Sequence, residues 1–368
     1  MPLKKLYIEP TSHCNFNCDM CFRHTWFDET YAHMTYDMFQ RILVNLPSSV
    51  DTIFFGGMGE PFFHPRILDM LSACKGLGVR VEVLTNGSLL TKEVIEALIA
   101  MRLDKLWISI DSFETFEKPL VGHPNMSEIF EHMKLFNTMR FKAGSSVQLG
   151  ITFVVTKSNV EELEKLPYFI DKYSIQDVNI SNMYPASTKD NDELLYQRTL
   201  SMSIGSDKFG EARPKVNLPY MDFDIPQVKQ GVTKLFEKMN FNLLVGNIPV
   251  PRRSQYCRFV SEGMCFVRSD GEVSPCMALL HNGTTAIANT NRRIYHHSFG
   301  SVRTQSIAVI WESEEYVAFR ERVDSFSFSP CTNCGHCHYP EDNREDCFGN
   351  EEPTCGACLW AEGILSCP

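Results

Sequence analysis

Six short apolar runs, at residues 6–8, 51–55, 79–84, 104–110, 147–155 and 177–180, alternate with stretches of helical character. Runs that are apolar on both faces and separated by helix-length segments form parallel sheets with helical crossovers, so the fold class expected is α/β. Thr91 is the expected N-cap of a helix over 92–100, and a second helix is predicted from about 160 to 172. In such sheets ligands gather at the C-terminal ends of the strands. The predicted strand ends carry Gly56-Gly57-Met58-Gly59-Glu60-Pro61, Thr85-Asn86-Gly87-Ser88 and Ser109-Ile110-Asp111-Ser112. Adjacent glycines allow close backbone approach to a ligand or a positive φ, and Glu60 adds a carboxylate acceptor. An ordinary turn or helix cap would account for each of these residues taken alone.

The first run leads into Cys14-Asn15-Phe16-Asn17-Cys18-Asp19-Met20-Cys21. Three thiolates from one short loop can hold three corners of a cubane iron–sulfur cluster, leaving one iron without a protein ligand. A metal with an open position is where chemistry can occur. A zinc site is the alternative, although zinc knuckles and ribbons use paired C-x2-C units and no fourth ligand lies near this loop.

With 368 residues the chain has room for one large domain and a smaller one. Its net charge of −10 provides no basic footprint for nucleic acid, and Arg252-Arg253 and Arg292-Arg293 are too short to change that. No signal-peptide core, cleavage site or long apolar span is present, so a cytoplasmic protein without membrane contact is expected. Fourteen cysteines in such a chain argue for metal ligation rather than disulfides. Cys74, alone in a helical stretch, reads as a buried structural thiol. Ten others fall in the last third: Cys257, Cys265, Cys276, Cys331, Cys334, Cys337, Cys347, Cys355, Cys358 and Cys367.

From 184 to 254 the alternation weakens, leaving one amphipathic helix at 227–239 in what reads as a bridge. Residues 265–276 read as a β-hairpin with a two-residue Asp270-Gly271 turn, which would set Cys265 and Cys276 side by side at its open end. A helix over 307–323 contains Trp311, Tyr316 and Phe319. The cysteine-rich tail that follows holds two C-x2-C pairs, so a zinc ribbon is an alternative there. His336 and His338 are expected to be solvated.

The Cys14 to Cys21 loop, followed about 35 residues later by Gly56-Gly57, resembles the radical S-adenosylmethionine (radical SAM) superfamily. The resemblance implies a partial (β/α)6 TIM-like barrel and a [4Fe–4S] cluster on Cys14, Cys18 and Cys21. In that superfamily the open iron chelates SAM, whose reductive cleavage yields methionine and a 5'-deoxyadenosyl radical. Gly56, Gly57, Gly59 and Glu60 would then lie along the SAM methionyl group. Ser109 and Asp111 would lie at its ribose, and Asn86 near the same pocket. Many relatives have an arginine shortly after the Ser-x-Asp motif, where this chain reads Lys118-Pro-Leu-Val-Gly122.

The spacing C-x13-G-x4-C from Cys257 through Gly271 to Cys276 resembles the opening of the SPASM domain. That small cysteine-rich domain carries auxiliary [4Fe–4S] clusters. Two are implied, one on Cys257, Cys265, Cys276 and either Cys347 or Cys355. The other would use Cys331, Cys334, Cys337 and either Cys358 or Cys367. The chain then divides into a barrel at 1–190, a bridge at 191–255 and a SPASM-like domain at 256–368.

SPASM enzymes are mostly maturases of a peptide, protein or cofactor, reduced by a partner such as ferredoxin or flavodoxin. Anaerobic sulfatase maturases have an Asp base where this chain has Met277, and an aromatic residue where it has Met20. Thirteen residues precede Cys14, so recognition of a peptide leader would fall to a separate protein. Glu9 to Cys14, Met20 to Trp26 and Cys358-Leu-Trp-Ala-x-Gly resemble a narrower group, the maturases associated with tungsten-containing aldehyde oxidoreductases. An iron–sulfur electron carrier would leave the strand-end motifs unexplained, and a zinc-binding interaction module would explain only the tail.

Overall fold

The computed structural model describes residues 1–113, 125–196, 215–218, 225–227, 242–245, 248–249, 256–287, 290–329, 331 and 341–368. Cys334, Cys337, His336, His338, Arg252, Arg253, residues 118–122 and most of the helix expected at 227–239 lie outside them. Six strands, β1 (Lys5–Ile8), β2 (Thr52–Phe55), β3 (Arg80–Thr85), β4 (Lys105–Ile110), β5 (Gln148–Val155) and β6 (Asp177–Asn182), pair in chain order. All five pairings are parallel. Helices α1 (Tyr36–Val44), α2 (Ile67–Lys75), α3 (Lys92–Ala100), α4 (Met126–Lys142) and α5 (Leu166–Tyr173) provide the crossovers.

The alternation read from the sequence is therefore a partial α/β barrel. Ile53 and Phe55, Val81 and Val83, and Leu106 and Ile108 are buried in one core with Phe39, Leu71, Ile95 and Met133 from the helices. Cys74 is buried in that core, on α2. Thr91 caps α3 by accepting from the Val94 N–H. The helix expected over 160–172 divides into a 3-10 turn, Val160–Lys165, and α5. Pro167 sits in the first turn of α5, where its missing N–H is tolerated, whereas inside a continuous helix it would break the ladder.

The sheet does not stop at β1. Strand β10 (Met264–Val267) pairs parallel to β1, and β11 (Val273–Ser274) pairs antiparallel to β10. The hairpin expected at 265–276 forms, but Val267 pairs with Val273 across a five-residue loop rather than a two-residue turn. The Arg268 N–H donates to the Glu272 carbonyl, and Gly271 takes φ +91°. Arg268, the first residue of this loop, reaches Glu29 at 3.0 Å.

Between the barrel and this hairpin, β7 (Lys215–Leu218), β8 (Asn242–Val245) and β9 (Ile248–Pro249) form a separate sheet. Helix α6 (Arg258–Ser261) precedes β10, and β12 (Gly283–Ile287) pairs with β13 (Thr290–Ile294). The helix expected at 307–323 is two, α7 (Ile307–Trp311) and α8 (Glu314–Asp324). Ser313 starts the second by accepting from the Tyr316 N–H.

Residues 364–368 run between β6 and β1, across the open side of the barrel. Ser366 donates to Asn179 Oδ1 at 3.1 Å and to the Ile180 carbonyl at 3.0 Å. Asn182 donates to the Ile364 carbonyl at 2.9 Å. From β1, the Tyr7 hydroxyl donates to the Pro368 carbonyl at 2.6 Å. No helix among the described residues is long and apolar enough to cross a membrane.

Candidate active site

The backbone leaves β1 through a buried Glu9-Pro10-Thr11-Ser12 segment and then enters the half-buried Cys14, Cys18 and Cys21 loop. Donors point at its sulfurs. The Phe16 N–H lies 3.4 Å from Cys14 Sγ and Arg23 Nε lies 3.4 Å from Cys21 Sγ. Asn86 Nδ2 lies 3.8 Å from Cys14 Sγ and donates to Asn15 Oδ1 at 3.0 Å. Burial pushes the Cys18 thiol up to about 12, helped by Asp111, Cys21 and Cys14, and burial raises Cys14 as well. Three thiols near enough to repel one another as anions, and supplied with N–H donors, suit a bound cationic cluster that holds them deprotonated. When bound, such a cluster supplies an electron to SAM.

The glycine loop is sewn to the same segment. The Met58 N–H donates to Glu9 Oε1 at 3.0 Å, and the Glu60 N–H donates to the His13 carbonyl at 2.8 Å. A β-carbon on Gly59 would sit 2.1 Å from the Thr11 carbonyl oxygen, so only glycine permits this approach. Glu60, expected to offer its carboxylate to SAM, is 2% exposed and turned inward. It accepts from Phe62 N, Thr85 Oγ1 and Asn86 N at 3.0, 2.7 and 2.7 Å. Burial raises its pKa to about 7 against those hydrogen bonds. The carboxylate ties the ends of β2 and β3 together and sets Asn86 beside the cysteine loop.

A cavity of about 280 Å³ occupies the barrel. It brings together Cys18, Cys21, Gly57, Ser109 and Asp111 from the expected set, with Met58 of the glycine loop beside them. Cys14, Gly56, Gly59, Glu60 and Asn86 stand outside its lining. Its other side chains include Tyr7, Tyr184, Met277, Trp360 and Cys367, which sequence reasoning did not assign to the reaction chamber. Cys367, expected as a cluster ligand, faces this cavity and accepts from Trp360 Nε1 at 3.3 Å. Burial pushes its thiol up to about 11.

The C-terminal cysteines group differently from the expected sets. Cys276, Cys355 and Cys358 line one cavity of about 50 Å³, and Cys257 interacts electrostatically with all three. Backbone N–H groups of Val260, Leu279 and Ala361 serve the sulfurs of Cys257, Cys276 and Cys358 respectively. Arg292 is buried on the same cavity, its Nε without a partner among the described residues, and its charge is felt by Cys331 and Cys358. Among the described residues no three His, Cys, Asp or Glu side chains close on a single-ion geometry. Three of the four thiols face one void and the fourth, Cys257, is within electrostatic reach of all of them, a grouping that suits the corners of a cubane.

Cys265 belongs to neither set: it is fully buried on β10, with Arg320 and Tyr316 of α8 as its electrostatic neighbours. The strand carries it into the hydrophobic core. Cys331 lies within electrostatic reach of Cys347 and Arg292.

Sequence reasoning also missed a buried ionic network behind the glycine loop. His281 Nε2 lies 3.0 Å from Glu9 Oε1, and its Nδ1 lies 2.9 Å from Glu29 Oε2. Arg268 completes it through Glu29 at 3.0 Å and Asp270 at 3.0 Å. Trp26 stacks on the imidazole with ring centroids 4.2 Å apart. An acidic residue directly after an apolar strand was the available signal. Its partners are too distant in the chain to be read.

The model of the Radical SAM superfamily matches residues 8–166, and that of an iron–sulfur cluster-binding (SPASM) domain matches residues 257–338. A tungsten-containing aldehyde ferredoxin oxidoreductase cofactor-modifying protein of Pyrococcus furiosus is 31% identical, covering 100% of this chain and 97% of its own. An AdoMet-dependent heme synthase of Methanosarcina barkeri is 26% identical over 90% of this chain and 87% of its own. Streptococcus suis SuiB bound to S-adenosylmethionine has the same fold, with a TM-score of 0.57 at 19% identity over 91% of this chain and 71% of its own.

This chain belongs to the radical SAM superfamily and carries a C-terminal SPASM domain. It is a radical SAM enzyme that uses [4Fe–4S] clusters and S-adenosylmethionine.

Proposed function

We propose that this protein is a maturase that removes a hydrogen atom from a peptide, protein or cofactor destined for a partner enzyme, a tungsten-containing oxidoreductase. The observation that carries the reading is the single barrel cavity, which sets Cys18, Cys21, Gly57 and Asp111 against Met277, Trp360 and Cys367 from the C-terminal third. Its extension to a tungsten enzyme rests on the full-length relative named for modifying such an enzyme's cofactor.

In this reading Cys14, Cys18 and Cys21 hold the SAM-cleaving cluster, and reductive cleavage of SAM supplies the 5'-deoxyadenosyl radical. Gly57 and Met58 present backbone to the methionyl group, while Ser109 and Asp111 position the ribose. The aromatic walls, Tyr7, Phe54, Phe153, Tyr184 and Trp360, keep water from the attacked carbon. Met277 cannot take a proton, so any base on this wall is another side chain. Cys257, Cys276, Cys355 and Cys358 hold one auxiliary cluster. Cys331 and Cys347, with Cys334 and Cys337 outside the described residues, contribute to another. A ferredoxin or flavodoxin supplies electrons.

Anaerobically reconstituted protein should carry about twelve irons and form 5'-deoxyadenosine from SAM under dithionite, a count that follows from three cubanes. Replacing Cys14, Cys18 and Cys21 by Ala should abolish deoxyadenosine and leave about eight irons. With a substrate deuterated at the attacked carbon, drawn from the tungsten enzyme's precursor cofactor or its apoprotein, deuterium should appear in deoxyadenosine. SAM turnover that no such candidate alters, with no label transferred, would sink the maturase reading and leave SAM cleavage alone.

A further inference from the structure

The Glu9, His281, Glu29 and Arg268 cluster is a buried, heavily charged site outside the cavity. Glu9 is 1% exposed, His281 5% and Arg268 7%. Isolated buried charges are costly, so a fold keeps them only where each is paired. Here every one is. Glu9 also has a contact that reaches from the network into the glycine loop: its Oε1 accepts the Met58 N–H. A β-carbon on Gly57 would lie 2.7 Å from Glu9 Cγ, so the carboxylate side chain is also the floor on which that loop rests.

Three chain regions meet at this carboxylate. Glu9 follows β1, five residues before Cys14. Met58 follows β2. His281 and Ser269 belong to the C-terminal third, with Ser269 Oγ 3.3 Å from Glu9 Oε2. We propose that His281 is a positioning residue for SAM: held as an imidazolium between Glu9 and Glu29, it fixes the Glu9 carboxylate under the glycine loop and so aims the Met58 peptide at the cofactor. The inference rests on the SAM site proposed above at Cys14, Cys18, Cys21 and Gly57.

Burial works against a charge on His281, but Glu9 and Glu29 outweigh it and raise its pKa to about 9. The ring therefore donates from both nitrogens at neutral pH. Trp26 stacks on its face and fixes the ring plane. A neutral side chain there leaves Glu9 without its principal counter-charge, free to turn away from Met58.

The test uses the full-length, reconstituted protein and SAM as the probe. His281→Gln should keep wild-type iron per chain but weaken SAM binding about tenfold, a difference of about 1.4 kcal/mol. Deoxyadenosine formation at saturating SAM should fall much less. His281→Lys, which restores a cation between the two carboxylates, should recover most of the affinity. A role confined to packing would lower Tm in both variants and leave the SAM dissociation constant per intact cluster unchanged, and that result overturns the inference. Should His281→Gln fail to fold, Glu29→Gln carries the same test, with a smaller loss of SAM affinity expected and an unchanged constant overturning it. Wild-type protein that forms no deoxyadenosine would overturn the functional reading, and this inference with it. Active wild type with indifferent variants overturns the inference alone.

Discussion

Gly57 rests directly on Glu9: at φ +115°, the place its β-carbon would occupy is 2.8 Å from Glu9 Cβ and 2.9 Å from Glu9 Oε1. The position is closed to side chains by both backbone conformation and space. Gly57→Ala should therefore cost about 1–3 kcal/mol in strain. It should also reduce deoxyadenosine formation far more than Gly78→Ala, whose β-carbon meets nothing within 4 Å although its φ is also positive. Comparing the two variants by thermal melt and SAM turnover separates loop strain from loss of the cofactor seat. Equal turnover in both would exclude Gly57 from that seat.

The buried network should leave a signature in pH. His281 is raised to about 9 from 6.5, so its stabilisation is fully present below 6.5 and is lost as pH rises through about 9. Glu9 and Glu29 are lowered from 4.5: burial opposes the shift, but His281, the backbone N–H groups of Met58 and Asn282, and Arg268 prevail. Their contribution is present above 4.5 and is lost as pH falls through the lowered values. Arg268, Asp270 and His296 also face the network, and His296 is lowered by burial and by Arg268. Wild type should lose apparent Tm between about pH 6.5 and about pH 9, and His281→Gln should lose much less, since the linkage resides in that ring. Parallel melting curves across that range would exclude it.

The thiol grouping predicts which cysteines hold iron. Cys276→Ala should remove about four irons, because it takes one corner from a four-cysteine set. Cys265→Ala, a core position beside Tyr316 and Arg320, should keep its full iron and cost about 1 kcal/mol through the lost packing. Equal iron loss in both variants would return Cys265 to the ligand set.

The pairing of β10 with β1 bears on where the chain can be cut. Truncation after residue 255 removes β10 and β11 and leaves the β1 edge unpaired in the sheet that aims the cysteine loop. Exposed edges of this kind template aggregation. The 1–255 fragment should be insoluble, or should bind exposed-surface dyes and take up no stable cluster. A monomeric, cluster-loaded fragment would show that the proposed 1–190 barrel stands alone.

The barrel was legible because most of its strands are dominated by apolar and β-branched residues and end in turn residues, β6 (Asp177–Asn182) being the most polar of them. Strand β2, for instance, is buried at all four positions. The cysteine loop and the glycine loop were legible because each is local. What escaped was assembled by long-range contact. Glu9 reads as a residue after a strand until His281 arrives from the far end of the chain, and Cys367 reads as one more cysteine until residues 364–368 run into the barrel. The Asp270-Gly271 turn failed for a related reason. Arg268, in the five-residue loop, is paired with the distant Glu29, a partner the local turn signal could not announce. Cys358, one of two alternatives expected beside Cys331, lies instead with Cys276 and Cys355, because C-x2-C spacing cannot say which void a pair will face.

Leu6 pairs with Cys265 and Ile53 at once, so the strand that aims the cysteine loop has one neighbour close to it in sequence and the other in the C-terminal third. During synthesis the loop emerges well before β10, so its platform remains half-built until residues 264–267 have left the ribosome. Contacts so far apart are slow to form. Cluster loading is then an event in the life of the finished chain, and nascent chains halted before residue 264 should be cleaved by protease near residues 9–21, where the completed protein resists.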